Sequence, residues 1–498
     1  MGDDPGPAAG VWHEWSVLSG LRTTDTIGPP LMQVYNTLGR SLQPFETRTS
    51  GEVAMYVCGP TVQAAPHVGH GRQAVAFDVI RRYLEWRGYQ VRFVYNITDV
   101  EDKIIDSAAE EGITTSEVAE RATAQFLEAY EQLRVSEPDA ITYATEHIRQ
   151  MQELIGRLIE RDHAYAAGGN VYFAVRSFTS YGELSGRNID DLMAGDSIDS
   201  GDHKRDPLDF ALWKASKPGE PTWDSPWGPG RPGWHVECSA MAEEELGFGF
   251  DIHGGGLDLV FPHHENEIAQ SEAARDERPF ARYWLHNGMV RVKGDKMAKS
   301  VGNIVGLLDL LDEHRPEAVR LFYLRAHYRQ SIDYAPELVA DAEAALDRLW
   351  AFRRRGGDGD TAPDAEALER FSAAMDDDFN TPRAMGVLFE VVREGNRHLD
   401  SAEDAGPYVA AFDEIVGVFG LGEAPARVDD LLESLLGAAA RFGVDGTESD
   451  GIVSGLIAAR ASARDERDFE RADAIRDSLA AAGVIVEDGS GGTNWHRR

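Results

Sequence analysis

Lysine is nearly missing from this chain. Seven occur among 498 residues: Lys103, Lys204, Lys214, Lys217, Lys293, Lys296 and Lys299. The remaining basic residues are arginine, and 85 Asp and Glu bring the net charge to −36. The acidic excess is spread along the chain and is not gathered into one tail, so any contact with a nucleic acid has to be local. A diffuse acidic surface poor in lysine is the pattern of a protein from a salt-loving organism. At ~1 M ionic strength the Debye length is about 3 Å, and self-repulsion is screened. Cysteine is scarcer still, with only Cys58 and Cys238. Two cysteines exclude a disulfide scaffold and leave a single bridge, two inert thiols or a shared metal. Long apolar runs are absent: none nears the ~20 residues of a membrane helix. The opening MGDDPGPAAG lacks a secretory pattern, so a cytoplasmic protein with no membrane partner is expected.

What is present suits a large core. Hydrophobic residues make up 42%, and the length allows about three domains of ~150 residues. Residues 1–31 are rich in Gly, Pro and Asp and read as a disordered extension, with a start at Met32 left open. EVAMYVCG (52–59) is a strand pattern. Residues 69–87 carry a helical apolar stripe, and QVRFVYNITD (90–99) is a second strand. This order is a βαβ unit, hence a parallel sheet. The segment 101–165 reads as helical, and 166–232 as an insertion. Strand character resumes at 248–262 and 283–292. Acidic amphipathic helices follow from about 316. A helix over 463–482 and the strand GVIVEDG close the chain.

Three constellations carry chemistry. PHVGH (66–70) sits where a strand gives way to a helix, and a helix N-terminus favours phosphate. His67 and His70 share a face there, and Gly69 allows close backbone approach; a helix-capping histidine is the competing reading. GDKMAKS (294–300) places two of the seven lysines three residues apart between Gly294 and Gly302. Such a loop suits a polyphosphate whose charge grows in a transition state, or else is a solvated basic patch with Lys293. Third, Cys58 and Cys238 with one or two of His263, His264, Glu265 and Glu267 make a credible zinc set. Two unrelated buried thiols are the alternative.

Together YVCGPTVQAAPHVGHGR, NITDVEDKI, RPGWHVECSAM, DIHGGGLDLVFPHHENEIAQ, KMAKS, MDDDFNTP and GTNWHRR resemble the cysteinyl-tRNA synthetases, a family of class I aminoacyl-tRNA synthetases. The resemblance runs from about residue 32 to the end. PHVGH stands for the family's HIGH signature, and KMAKS has Ala298 in place of the central serine of KMSKS. The implied fold is α/β, a Rossmann-like catalytic domain over 32–315 with an insertion at about 130–232 and the lysine loop at 296–300. A helical-bundle anticodon-binding domain over 316–435 and a small C-terminal α+β unit over 436–498 would follow. The implied ligands of one zinc per chain are Cys58, Cys238, His263 and Glu267. His67, His70, Lys296 and Lys299 would be catalytic. Gly59, Thr61, Thr98, Trp234, His253 and Asp258 would line the cysteine pocket. Gly254, Gly255 and Gly256 would bind ATP with His67, Gly69, His70 and Lys299, and Mg2+ would accompany the nucleotide. Trp495, Arg497 and Arg498 would contact tRNA(Cys). The implied activity is ATP-dependent ligation of L-cysteine to that tRNA by a monomer. A related ligase that transfers cysteine to an amino-sugar lacks the anticodon region, so the helical region and the NWHRR tail weigh against it. The intact PHVGH and paired lysines weigh against an inactive RNA-binding or structural zinc protein.

Overall fold

The computed structural model describes residues 32–188, 203–292, 295–296, 304–357, 361–422, 428–444, 449–489 and 492–497. The expected extension over 1–31 and most of the lysine loop lie outside these residues. The chain divides into two compact units, one through Leu421 and one over Gly422–Arg498.

The strands are β1 (Gln33–Asn36), β2 (Ser41–Pro44), β3 (Glu52–Val57), β4 (Gln90–Ile97), β5 (Ala140–Tyr143), β6 (Ala164–Ala167), β7 (Asn170–Phe173) and β8 (Phe210–Ala215). They continue as β9 (Gly230–Pro232), β10 (Phe250–Gly256), β11 (Ala281–Asn287), β12 (Val290–Val292), β13 (Asp295–Lys296), β14 (Ile332–Tyr334), β15 (Val484–Gly489) and β16 (Gly492–Arg497). The central sheet has the order β11-β10-β3-β4-β5, and every pair in it is parallel. From β3 the chain moves to β4 on one side and later returns to β10 on the other. The carboxyl ends of β3 and β10 thus flank a topological switch point, where open α/β sheets bind ligands.

Strand periodicity decides which layer each β3 residue meets. Met55 and Val57 join the core shared with the first helix, Val68–Trp86. Tyr56 and Cys58 point the other way, into a second core. That core includes Cys238, Met241 and Ile268, from the helices Trp234–Leu246 and Glu265–Arg275. The Trp234–Leu246 helix contacts both β3 and β4. Between β5 and β10 the antiparallel sheet β6-β7-β8-β9 is inserted. The helices Pro316–Leu324, Pro336–Gly356, Thr381–Asp400 and Gly406–Phe419 pack into the core of the first helix. At its centre, buried Arg320 reaches Asp78 Oδ2 at 2.5 Å. Arg320 also donates to the carbonyls of Leu133 and Phe419.

Two elements differ from the sequence reading. The segment 101–165 is not wholly helical, because Ala140–Tyr143 forms the edge strand beside β4; four residues are too few for a period to register. The helix expected over 463–482 is two, Ser449–Asp465 and Phe469–Ala481. Arg467 at φ +60° interrupts the run, and the Asp468 side chain caps the second helix by accepting from Arg471 N. In the C-terminal unit β15 and β16 pair antiparallel, and Trp495 packs against Leu435, Ile475 and their neighbours.

Candidate active site and metal centre

Two clusters meet at the switch point. In the first, His67 is the N-cap of the first helix, and its Nδ1 accepts from Gly69 N at 3.1 Å. His70 Nδ1 accepts from His67 N at 3.1 Å. The two rings stack at 3.8 Å. A backbone N–H can only donate, so both Nδ1 atoms are acceptors and both rings carry their proton on Nε2. Burial, with His67 close by, holds His70 well below its ordinary pKa, so it is a neutral Nε2–H donor. Each histidine therefore caps the helix through one nitrogen and keeps the other as a donor.

The flank of the lysine loop is tied to this segment. Lys296 is in β13, which pairs with β12. Beyond the loop, Val68 N donates to Val305 O at 3.1 Å, and Leu307 N to Pro66 O at 2.9 Å. Ala298 and Lys299 lie outside the described residues, as does the Lys296 side chain.

The second cluster is buried. Cys58 Sγ, Cys238 Sγ, a His263 nitrogen and a Glu267 oxygen all lie within 4.8 Å of one another. Cys58 Sγ is 3.7 Å from His263 Nε2 and donates to Glu267 Oε1 at 3.5 Å. His263 Nε2 is 3.1 Å from Glu267 Oε1. Both thiols are free, so the single-bridge reading does not hold. A tetrahedral ion with bonds of about 2.0–2.3 Å separates its ligand atoms by about 3.3–3.8 Å, close to the spacings found. Glu267 is fully buried, and its Oε2 has no hydrogen-bond partner. Such a carboxylate is costly unless a cation meets it. Burial, with His235 and His253 beside it, holds His263 well below its ordinary pKa, so the ring is neutral and able to ligate. Burial also pushes the Cys58 and Cys238 thiols up, so they retain protons until a cation displaces them. Two thiols, an imidazole and a carboxylate fit zinc. Cys58, His253, His264 and Glu267 also come within range of a shared ion, but that set offers one thiol rather than two.

Of the other expected site residues, Trp234 and His253 touch this cluster. Gly59 N donates to Asn96 Oδ1 at 2.8 Å. A Cβ on Gly59 would sit 1.7 Å from Asn96 O, so only glycine fits. Thr61 and Thr98 form a bridge between the ends of β3 and β4. The Trp234 ring lies 4.3 Å from His263. His253 is buried, stacked 4.2 Å from Trp284 and 3.4 Å from Cys58 Sγ. Asp258 is exposed on the turn after β10. Gly254, Gly255 and Gly256 are crowded by the protein itself: added Cβ atoms would meet Phe77 at 2.3 Å, His264 at 2.8 Å and Asp258 at 2.6 Å. Trp495 and Arg497 lie in β16 of the second unit. Arg498 falls outside the described residues.

Several site residues escaped the sequence reading. Asn96 holds Gly59 and, through Nδ2, Thr98 Oγ1 at 3.3 Å. The Cys238 thiol donates to its Oδ1 at 3.7 Å. Its place inside NITD, at the end of a strand, was the available signal. His235 meets His263, and His286 links His264 to Thr37. No local spacing announces these pairs.

The parallel sheet, the histidine pair at its switch point and the appended helices define a class I aminoacyl-tRNA synthetase. Residues 44–344 match the model for the class I (C) tRNA synthetase catalytic domain, 370–423 the DALR domain, and 450–495 the cysteinyl-tRNA ligase anticodon binding domain. The cysteine–tRNA ligase of Alkalilimnicola ehrlichii is 50% identical, over 94% of this chain and 100% of that one. That of Solidesulfovibrio magneticus is 47% identical, over 93% and 99%. In fold the chain is similar to methionyl-tRNA synthetase of Mycobacterium tuberculosis, with a TM-score of 0.56 at 18% identity, over 74% of this chain and 90% of that one. The chain belongs to the cysteine–tRNA ligase family, and it is an enzyme that joins cysteine to tRNA. No helix among the described residues is long and apolar enough to cross a membrane.

Proposed function

We propose that the chain activates L-cysteine with ATP and Mg2+ as cysteinyl-adenylate, then passes the cysteinyl group to the terminal adenosine of tRNA(Cys). It would select cysteine through one zinc held by Cys58, Cys238, His263 and Glu267. The observation that carries this reading is the convergence of a buried two-thiol, imidazole and carboxylate set with a pair of Nε2–H imidazoles at one sheet switch point. Zinc bound there supplies a thiophilic Lewis acid that lowers the substrate thiol pKa from about 8.5 and disfavours serine's hydroxyl. A hydrophobic pocket separates near-isosteres only ~100-fold, whereas loss of a strong contact reaches ~10⁴.

The protein's own groups do the rest. Gly59, Thr61, Thr98, Trp234, His253 and Asp258 would orient the amino acid so that its carboxylate faces the α-phosphate. Asn96 fixes the Gly59 turn. Gly254, Gly255 and Gly256 end β10 with no side chains, and the adenosine would lie against that backbone. His67 and His70 would donate from Nε2 to phosphate oxygens, with Gly69 N–H close by. Lys296 and Lys299 would add charge as pyrophosphate departs. No side chain need act as nucleophile. The helical region and the tail with Trp495, Arg497 and Arg498 would meet unpaired anticodon bases by stacking and guanidinium contact. The enzyme would work in the cytoplasm as a monomer.

The test measures zinc per chain, cysteine-dependent ATP–pyrophosphate exchange and charging of tRNA(Cys). One zinc, exchange with cysteine but not serine, and cysteinyl-tRNA product are expected. Cys238→Ser should lose zinc and exchange together. Full zinc occupancy in that variant, or equal exchange with serine, would overturn the selection mechanism.

A further inference from the structure

We propose that His235 is a positioning residue for His263, holding that ring in the tautomer that leaves Nε2 free for the metal. The inference rests on the reading that His263 is a zinc ligand. His235 is the second residue of the Trp234–Leu246 helix, three residues before Cys238, so one helical face presents both side chains to the cluster. The Nδ1 atoms of His235 and His263 face each other at 3.0 Å. Two such nitrogens form a hydrogen bond only when one proton lies between them.

That requirement fixes the proton arrangement. His263 Nε2 is the atom turned toward Cys58 Sγ and Glu267 Oε1. To offer a lone pair there, His263 has to carry its proton on Nδ1 and donate it to His235 Nδ1. His235 then keeps its own proton on Nε2. Each ring then bears one proton, and neither nitrogen of the facing pair is unmatched.

His235 is well held for this part. Its ring meets Phe210 edge-on at 5.5 Å and Trp234 at 5.2 Å. Its carbonyl accepts from Gln270 Nε2, on the helix that carries Glu267. His264 is oriented separately, through His286 and Thr37, so changes at His235 leave that chain intact. Partners that orient a ligating imidazole are typically worth about 10- to 100-fold in metal affinity.

The experiment uses the full chain. Zinc affinity is measured by chelator competition, the ligand set by cobalt(II) absorption, and the fold by melting of the metal-free forms. His235→Ala should bind zinc about 10- to 100-fold more weakly, with the cobalt spectrum unchanged at saturation. His235→Asn places an acceptor oxygen near the Nδ1 position and should recover affinity to within about threefold of the parent. Parental affinity in His235→Ala, or equal weakening by Ala and Asn, would overturn the proposal. A parent chain that binds no zinc, or whose cobalt form lacks thiolate absorption, would instead overturn the ligand assignment itself.

Discussion

Replacing His67 with asparagine would remove a proton donor and keep a helix cap. His67 accepts from Gly69 N through Nδ1, and Asn Oδ1 occupies nearly the same place. Asparagine is among the best N-cap residues, so stability should change by less than about 0.5 kcal/mol. What is lost is the Nε2–H. A preorganised donor aimed at developing charge is worth about 2.7–4 kcal/mol, or about 10²–10³ in kcat. Glutamine reverses the exchange: its amide can reach the Nε2 position, but the short-range cap is gone, at a cost of about 1 kcal/mol. In a chain this size that shifts Tm by at most about 2 °C. The assays are pyrophosphate exchange and thermal melting on His67→Asn and His67→Gln. The expected pattern is a stable, nearly inactive Asn variant and a slightly less stable Gln variant with more residual exchange. Full exchange by His67→Asn would refute the donor role and leave His67 as a cap alone.

Lys299→Ala should depress adenylate formation strongly while cysteine binding stays near normal, because its charge acts mainly in the transition state; equal losses in both would mark a ground-state contact. Arg320→Met should destabilise the first unit by about 1–3 kcal/mol, since buried Asp78 would keep only Arg82 and the Ser136 amide as partners, as read by urea unfolding. Burial opposes ionisation of Asp78, but Arg320, Arg82 and the Ser136 amide outweigh it and hold the carboxyl below its usual range. Its stabilising contribution is therefore complete above the unfolded value of about 3.9 and lost as pH falls through the lower folded value; Arg320→Met should flatten that acid limb. Charging should rise with KCl to a maximum above ~1 M, because screening relieves repulsion between the −36 surface and tRNA; a maximum at ~0.1 M followed by steady decline would refute this. Removing residues 493–498 should weaken charging and spare pyrophosphate exchange, whereas equal damage to both would refute a role confined to tRNA.

Much of this protein was legible along the chain, where chemistry is local. PHVGH could be placed at a strand-to-helix junction because both elements carry their periodicity within twenty residues. The competing readings of that motif, cap or phosphate donor, could not be separated there. Only backbone geometry shows that each ring caps through Nδ1 and keeps Nε2–H. The parallel sheet followed from the βαβ order, but its edge strand Ala140–Tyr143 was too short to register. Residue types nominated Cys58 and Cys238 with one or two of His263, His264, Glu265 and Glu267; the family resemblance picked out His263 and Glu267, and neither said whether the groups meet. That was decided by strand order: β10 lies beside β3, and the pleat turns Cys58 toward the two helices that carry Cys238 and Glu267. Asn96, His235, His264 and His286 owe their places to the same packing. Local patterns determine which way a side chain leaves its own element, whereas the partner it meets depends on how distant elements pack, and that information is not contained in any short stretch of the chain.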